Sequence, residues 1–106
     1  MIKVPATEAG IDAIEQLTAA GININVTLLF NTQMYRKVAE AYISGLDTFA
    51  DNGGDPSTVA SVASFFVSRI DKVVDNQLAA KGNTDLQGKI AIANAKVAYD
   101  LSLIHI

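Results

Sequence analysis

The chain has 106 residues, which is enough for one small domain and too few for two. Half of the residues are hydrophobic and 18% are charged, a composition typical of a globular protein and not of a disordered one. Lys and Arg total 8 against 11 Asp and Glu, so the net charge of −3 leaves no surplus of cations for a phosphate backbone. These numbers argue against a nucleic-acid partner.

The side chains available for chemistry are restricted as well. Cysteine is absent and the single histidine is His105, which excludes disulfides, thiolate nucleophiles and His-rich or Cys-rich metal sites. No apolar run reaches the roughly 18–20 residues of a transmembrane helix, and residues 1–5 do not have the pattern of a signal peptide. We therefore expect a soluble, cytoplasmic protein with no membrane partner.

The first half of the chain alternates between strand and helix patterns. Residues 1–6 form a short apolar run that predicts a buried strand, and Thr7 is placed to cap the helix that follows. Residues 22–30 are apolar and β-branched, which predicts a second strand. Residues 32–50 predict a long helix that ends before a Gly-Gly-Asp-Pro turn.

The second half is less sharply patterned. Residues 57–67 predict a third strand, although the Ala and Ser residues in its first part suit a helical turn equally. Residues 71–81 predict a helix, and residues 86–97 carry apolar side chains at helical spacing and predict another. Strands alternating with helices indicate a parallel sheet covered by helices. Three such strands leave two open edges and cannot close a barrel, so we expect the chain to be part of something larger.

Both ends of the chain support that expectation. Met1 directly precedes the first strand, as an internal methionine would. Residues 101–106 read Leu-Ser-Leu-Ile-His-Ile and resemble the translation of a transposase-end adapter from a sequencing library. We expect this segment, and with it His105, to be foreign to the native protein. Resequencing the locus past Asp100 tests the expectation, since the same codons in genomic context would contradict it.

Polar side chains within the strands are the candidates for a functional site, because parallel α/β folds bind ligands at the carboxyl ends of their strands. Alternation along each strand places polar or aromatic side chains on one face, with Arg69 after the third strand. These residues are Lys3, Asn25, Thr27, Ser64, Phe66 and Ser68.

For Lys3, Asn25, Thr27 and Ser64 the pattern alone favours a structural interpretation. For Lys3, the pattern favours an edge-strand lysine whose ammonium reaches water over a catalytic lysine. The amide and hydroxyl side chains in the second and third strands are more often satisfied structural groups. Arg69 suits an ion pair with Asp71 as well as it suits an anion site.

Three segments of the chain resemble the transaldolase family in their order and approximate spacing. They are residues 2–7 (IKVPAT), 25–30 (NVTLLF) and 64–71 (SFFVSRID). Residues 88–96 (GKIAIANAK) agree with the same family, and the resemblance runs from residue 1 to about residue 100. Transaldolases are parallel (β/α)8 TIM barrels. The resemblance therefore implies an α/β fold in which residues 1–100 form a partial barrel of about three βα units, matching its fourth to sixth strands.

The resemblance also implies a chemistry. Lys3 matches the lysine on which the family forms a Schiff base with a sugar phosphate such as sedoheptulose 7-phosphate or fructose 6-phosphate. The iminium is an electron sink, so the C3–C4 bond breaks and a three-carbon dihydroxyacetone unit stays on the enzyme as an enamine. Erythrose 4-phosphate or glyceraldehyde 3-phosphate is the aldehyde partner. The resemblance implies neither a metal nor any other cofactor.

Further roles follow by match to the family. Asn25 would hydrogen-bond the substrate and Thr27 would help to hold the catalytic water. Ser64 and Phe66 would shape the sugar site, and the guanidinium of Arg69 would bind the phosphate.

The match is incomplete in one respect. The family's acid/base aspartate, asparagine and glutamate come from its first three strands, and part of its phosphate site comes from the seventh, none of which this chain contains. We expect no activity from these residues alone, sugar phosphates as partners of the longer protein, and a homodimer of that protein.

Two alternatives stay open. A fructose-6-phosphate-aldolase-like enzyme shares the fold and the strand lysine, and an assay of transfer against release of free dihydroxyacetone separates the two activities. The other alternative is a non-catalytic α/β module in which Lys3 is an edge residue, and borohydride trapping of a Lys3 adduct separates it from an enzyme.

Overall fold

The computed structural model of the chain describes residues 1–82 and 84–105, so Ile106, at the end of the segment expected to be foreign, lies outside the described residues. The elements in chain order are β1 (Ile2–Pro5), α1 (Glu8–Ala19), β2 (Ile24–Leu29), α2 (Thr32–Asp51), a 3₁₀ turn (Pro56–Thr58), β3 (Val62–Phe65), α3 (Ser68–Ala80) and α4 (Ile90–His105). The three strands form one parallel sheet in the order β1-β2-β3. This confirms the expected architecture of about three βα units.

The first two helices begin at side-chain caps. The Thr7 hydroxyl accepts a hydrogen bond from the Gly10 N–H at 3.0 Å, as the sequence predicts, and Asn31 Oδ1 accepts one from the Met34 N–H at 2.7 Å. Gly21 follows α1 with a φ of 78°, a left-handed conformation that ends the helix at little steric cost. Local chemistry thus fixes where α1 and α2 begin and where α1 ends.

The hydrophobic core lies on one face of the sheet, between the strands and the pair α1–α2. It consists of Val4, Ala6, Ile14, Ile24, Val26, Leu29, Val38 and Ala41. Right-handed crossovers between adjacent parallel strands place both helices on that same face. Residues that alternate with the core along β1 and β2, such as Lys3 and Asn25, therefore lie on the face that these helices leave uncovered.

The third strand is shorter than predicted. β3 occupies Val62–Phe65 and not residues 57–67, because residues 56–58 form the 3₁₀ turn, capped by Asp55. The Ser57 hydroxyl and the Ser57 backbone N–H both donate to Asp55 Oδ1. These bonds, the hydroxyl first and the N–H second in size, hold the pKa of Asp55 below its ordinary value.

The helices α3 and α4 also begin at residues other than those predicted. Val67 has helical backbone angles (φ −111°, ψ −48°), so α3 begins at Ser68 instead of Asp71. Ser68 consequently leaves the strand face on which alternation placed it. The last helix, α4, begins at Ile90, whereas Leu86 lies in a preceding series of turns.

Leu28 interrupts the alternation of β2. Its φ of 61° lies in the left-handed region, and the register with β3 shifts between Val26 and Leu29. Leu28 is 38% exposed and Leu29 is fully buried, whereas the sequence pattern predicts Leu28 on the core face with Val26. The irregularity lies near the carboxyl end of the strand.

Side-chain hydrogen bonds join the amino ends of β2 and β3. Ser61 Oγ accepts from the Ile24 N–H at 3.0 Å, and Asn23 Oδ1 accepts from the Ala60 N–H at 2.8 Å. These bonds fix the two strands to each other at their amino ends, directly before Asn25 in β2. None of the helices in residues 1–82 and 84–105 combines the length and the apolar character that crossing a membrane requires.

Candidate active site

Lys3, Asn25 and Ser64 lie side by side across the uncovered face of the sheet. Lys3 is the register partner of Asn25 in the β1–β2 pair, and Ser64 Oγ in β3 donates a hydrogen bond to Asn25 Oδ1 at 3.0 Å. The bond to Ser64 leaves the two Nδ2 hydrogens of Asn25 as donors, and no described residue accepts from them. The structure thus brings one polar residue from each strand together.

The Lys3 side chain is exposed on this face. Among the described residues its amine makes neither a hydrogen bond nor an ion pair; the ion pair between described residues joins Lys37 and Glu8. The amine of Lys3 is therefore available to react with a ligand that binds beside Asn25.

Thr27 lies two positions further along β2, beside Pro5 in the register. The residue is only 6% exposed, and its Oγ1 atom is buried without a hydrogen-bond partner among the described residues. Leaving a buried hydroxyl unsatisfied costs about 1–3 kcal/mol, so such groups are uncommon unless a water or a ligand completes their bonding. Thr27 therefore carries a buried hydroxyl that the described residues leave unsatisfied, on the strand that also carries Asn25.

Backbone strain lies next to this hydroxyl. A left-handed φ costs a residue with a side chain roughly 1–2 kcal/mol, and Leu28 adopts one directly after Thr27. Strained residues persist where the surrounding structure holds them, and they cluster at functional sites. The strained backbone at Leu28 coincides with the register shift between β2 and β3 and lies directly beside the buried Thr27 hydroxyl.

Phe66 and Arg69, two further candidate residues, form a separate cluster just beyond β3. The Arg69 guanidinium carbon lies 4.9 Å from the centre of the Phe66 ring, a cation–π arrangement. The Phe66 ring also meets the ring of Phe30 edge to face, with centres 5.4 Å apart and planes at 83°. The Phe66 N–H donates to the Leu29 carbonyl at 2.8 Å, which ties this residue to the end of β2.

The possible ion pair between Arg69 and Asp71 is not formed. Both residues lie in the first turn of α3, and the Asp71 Oδ1 atom is buried without a hydrogen-bond partner among the described residues. The exposed guanidinium of Arg69, stacked on an aromatic face, is instead open to an anion. The described part of the chain brings no three His, Cys, Asp or Glu side chains together to hold a metal ion.

Sequence reasoning missed Phe30 and Asn94 as parts of this site. Asn94 Nδ2 in α4 donates to the Phe30 carbonyl at 2.6 Å, across 64 positions of sequence. Asn94 does lie in residues 88–96, which resemble the transaldolase family, but no spacing within α4 indicates that its side chain reaches the end of β2. Only the packing of the helices shows the contact.

Comparison with known proteins confirms the resemblance. Residues 1–103 match the family described as transaldolase/fructose-6-phosphate aldolase. The chain is similar to the transaldolase of Saccharopolyspora erythraea, with 49% identity over 100 residues that cover 93% of this chain and 27% of the relative. It is also similar to transaldolase 2 of a Nostoc species, with 51% identity over an alignment 111 positions long that covers 93% of this chain and 29% of the relative.

A third relative gives the same result. The transaldolase of Mycobacterium leprae is 46% identical over 101 residues, which cover 92% of this chain and 27% of the relative. The chain thus spans somewhat more than a quarter of the length of these curated relatives. On the match of residues 1–103, the chain belongs to the transaldolase/fructose-6-phosphate aldolase family.

Proposed function

We propose that this chain is part of a transaldolase, and that Lys3 forms the Schiff base with the donor sugar phosphate. The enzyme moves a three-carbon dihydroxyacetone unit, so that sedoheptulose 7-phosphate and glyceraldehyde 3-phosphate give erythrose 4-phosphate and fructose 6-phosphate. The observation that carries the proposal is the placement beside Asn25 of an exposed Lys3 whose amine has no partner among the described residues. The transaldolase names of the relatives support it.

The chemistry begins at the Lys3 amine. The neutral amine attacks the ketone carbon, and loss of water gives an iminium ion. The electrons of the C3–C4 bond then move into the iminium, the C4 hydroxyl loses its proton, and the aldehyde leaves. The resulting enamine attacks the acceptor aldehyde to form a new C3–C4 bond, and addition of water to the iminium frees Lys3.

The other residues bind and orient in this scheme. The free Nδ2 hydrogens of Asn25 donate to a substrate hydroxyl, with the Oδ1 atom held by Ser64 at 3.0 Å. The unpartnered hydroxyl of Thr27 holds the water that adds to the iminium. Arg69 binds the phosphate, and Phe66 presents its ring beneath the guanidinium.

The activity belongs to the longer protein, here called the full-length enzyme. This chain contributes three parallel strands, whereas a closed TIM barrel has eight. The group that takes the C4 proton, and the rest of the phosphate site, come from strands outside this chain. We therefore propose that these 106 residues alone are inactive. A cytoplasmic location and a homodimer of the full-length enzyme belong to the same proposal.

A product assay tests the proposed activity. The full-length enzyme is incubated with fructose 6-phosphate and erythrose 4-phosphate, and the products are quantified by mass spectrometry. We expect sedoheptulose 7-phosphate with little free dihydroxyacetone. Free dihydroxyacetone as the main product would indicate the fructose-6-phosphate-aldolase activity, and the absence of both products would indicate a non-catalytic module.

A further inference from the structure

Asn94 connects α4 to the carboxyl end of β2. Its Nδ2 atom donates to the Phe30 carbonyl at 2.6 Å, and the contact is partly buried. Phe30 lies between the last residue of β2 and Asn31, the cap of α2, so its carbonyl belongs to neither a strand ladder nor a helix. Within the described chain, Asn94 is the residue that fixes this carbonyl.

The Phe30 side chain continues the connection toward α3. Its ring packs edge to face on Phe66, with ring centres 5.4 Å apart. The Phe66 ring in turn supports the guanidinium of Arg69 at 4.9 Å. An edge-to-face pair has a preferred geometry, so a displaced Phe30 ring removes the support that orients Phe66. Asn94, Phe30, Phe66 and Arg69 thus form a continuous series of contacts.

We propose that Asn94 is a positioning residue for phosphate binding, which it supports by holding Arg69 in place through Phe30 and Phe66. The inference rests on the proposed function, in which Arg69 binds the substrate phosphate. A guanidinium binds phosphate with two parallel hydrogen bonds only when its plane faces the phosphate oxygens correctly. Asn94 acts on this orientation and touches neither the phosphate nor the reacting carbons.

The test replaces Asn94 in the full-length enzyme with a neutral residue of similar size. Asn94→Leu removes the donor to Phe30 without adding charge near Arg69. We expect the KM for fructose 6-phosphate to rise about fivefold, the effect of losing one hydrogen bond, with kcat within about twofold of the wild type. The affinity for inorganic phosphate should fall by the same factor.

Asn94→Gln retains the amide donor and should recover part of the affinity. Asn76→Leu is the matched control, because Asn76 is exposed on α3, the helix that carries Arg69, and makes no hydrogen bond with a described residue. It should leave both constants unchanged.

A second variant acts on the ring contact instead of the hydrogen bond. Phe30→Leu keeps the carbonyl that Asn94 binds and removes the edge-to-face contact with Phe66. We expect it to raise the KM by about the same factor as Asn94→Leu, and the double variant to be no worse than either single one. If Asn94→Leu does not fold, an unchanged phosphate affinity in Phe30→Leu overturns the proposal.

The phosphate readout is independent of turnover. Inorganic phosphate is titrated while the Arg69 side-chain signal is followed by NMR, since that signal is shifted by the ring current of Phe66. If borohydride traps no Lys3 adduct in the wild-type protein, the proposed function is wrong. The phosphate titration still tests the role of Asn94, because it does not depend on turnover. Equal phosphate affinity in wild type and Asn94→Leu, or a loss of stability alone, overturns the inference. So does a wild-type protein that binds no phosphate at Arg69.

Discussion

The buried Thr27 hydroxyl has no hydrogen-bond partner among the described residues, so we expect its removal to lower activity without lowering stability. Thr27→Val replaces the hydroxyl with a methyl group of nearly the same size. We expect the free energy of unfolding of the full-length enzyme to stay equal or to rise by about 1 kcal/mol, because no described hydrogen bond is lost. The transfer rate should fall about 100-fold, because the water that frees Lys3 loses its partner.

Thr18 provides the matched control for this variant. It is fully buried in α1, and its Oγ1 atom also lacks a partner among the described residues, but it lies on the core side of the molecule. Thr18→Val should change stability as Thr27→Val does and leave the rate unchanged. Full activity in Thr27→Val, measured beside urea denaturation, would remove Thr27 from the mechanism.

Alternation along the strands was enough to predict part of the site at the level of residues. It placed Lys3, Asn25 and Ser64 on one face, and the structure joins them there by register and a hydrogen bond. The left-handed φ of Leu28 accompanies a shift in the pairing of β2 with β3, and the Thr27 hydroxyl is buried beside it. A register shift arises from the pairing of two strands, so the sequence of either strand alone does not predict it.

At the scale of elements, α1 and α2 approach each other closely at Gly45. A Cβ atom there would lie 2.7 Å from the Glu15 carbonyl oxygen and 2.7 Å from Thr18 Cβ. Alanine favours a helix over glycine by about 1 kcal/mol, whereas overpacking against a backbone oxygen costs about 1–3 kcal/mol. Gly45→Ala should therefore destabilise the full-length enzyme, by up to about 2 kcal/mol.

Urea denaturation measures this difference directly. Glu40→Ala on the same helix is the control, because Glu40 is exposed and its side chain makes no hydrogen bond or ion pair with another described residue. We expect its free energy of unfolding to stay within about 0.5 kcal/mol of the wild type. A more stable Gly45→Ala would show that the two helices are not packed as closely as described.

The elements that the sequence predicted well are those with local start and stop signals. The long helix was expected over residues 32–50 and occupies Thr32–Asp51, because apolar spacing and a glycine turn define it. The stretch at residues 57–67 contains Ser, Ala and β-branched residues that suit more than one conformation. Its division into a 3₁₀ turn, β3 and the cap of α3 at Val67 depends on pairing with β2 and on the helical angles of Val67.

At the scale of the whole molecule, the chain is extended for its length. Its radius of gyration is 16.2 Å and its longest dimension is 57 Å, whereas a compact domain of this length has a radius of gyration of about 13 Å. β1 and β3 each pair on one side only, so both edges of the sheet are open. Apolar side chains such as Val62, Val97 and Tyr99 are half or more exposed.

These features predict that the isolated chain does not fold cooperatively. We expect a broad thermal transition by near-ultraviolet circular dichroism, binding of a hydrophobic dye and low solubility. The full-length enzyme is the control and should unfold sharply. A sharp, cooperative transition of the isolated chain would contradict this account.

The foreign origin of residues 101–106 stays a prediction. Leu101 and Ser102 lie within α4, and the Ser102 hydroxyl donates to the Tyr99 carbonyl at 2.6 Å. Resequencing past Asp100 decides the origin.

The central claim is the covalent role of Lys3, and reductive trapping tests it most directly. The full-length enzyme is treated with fructose 6-phosphate and borohydride, digested, and mapped by mass spectrometry. We predict a reduced three-carbon adduct on the peptide that contains Lys3, absent without the sugar and absent from Lys3→Arg. Lys72→Arg, at an exposed lysine of α3, should be labelled as the wild type is. An adduct on another lysine, or none at Lys3 in enzyme that transfers the three-carbon unit, would contradict the account.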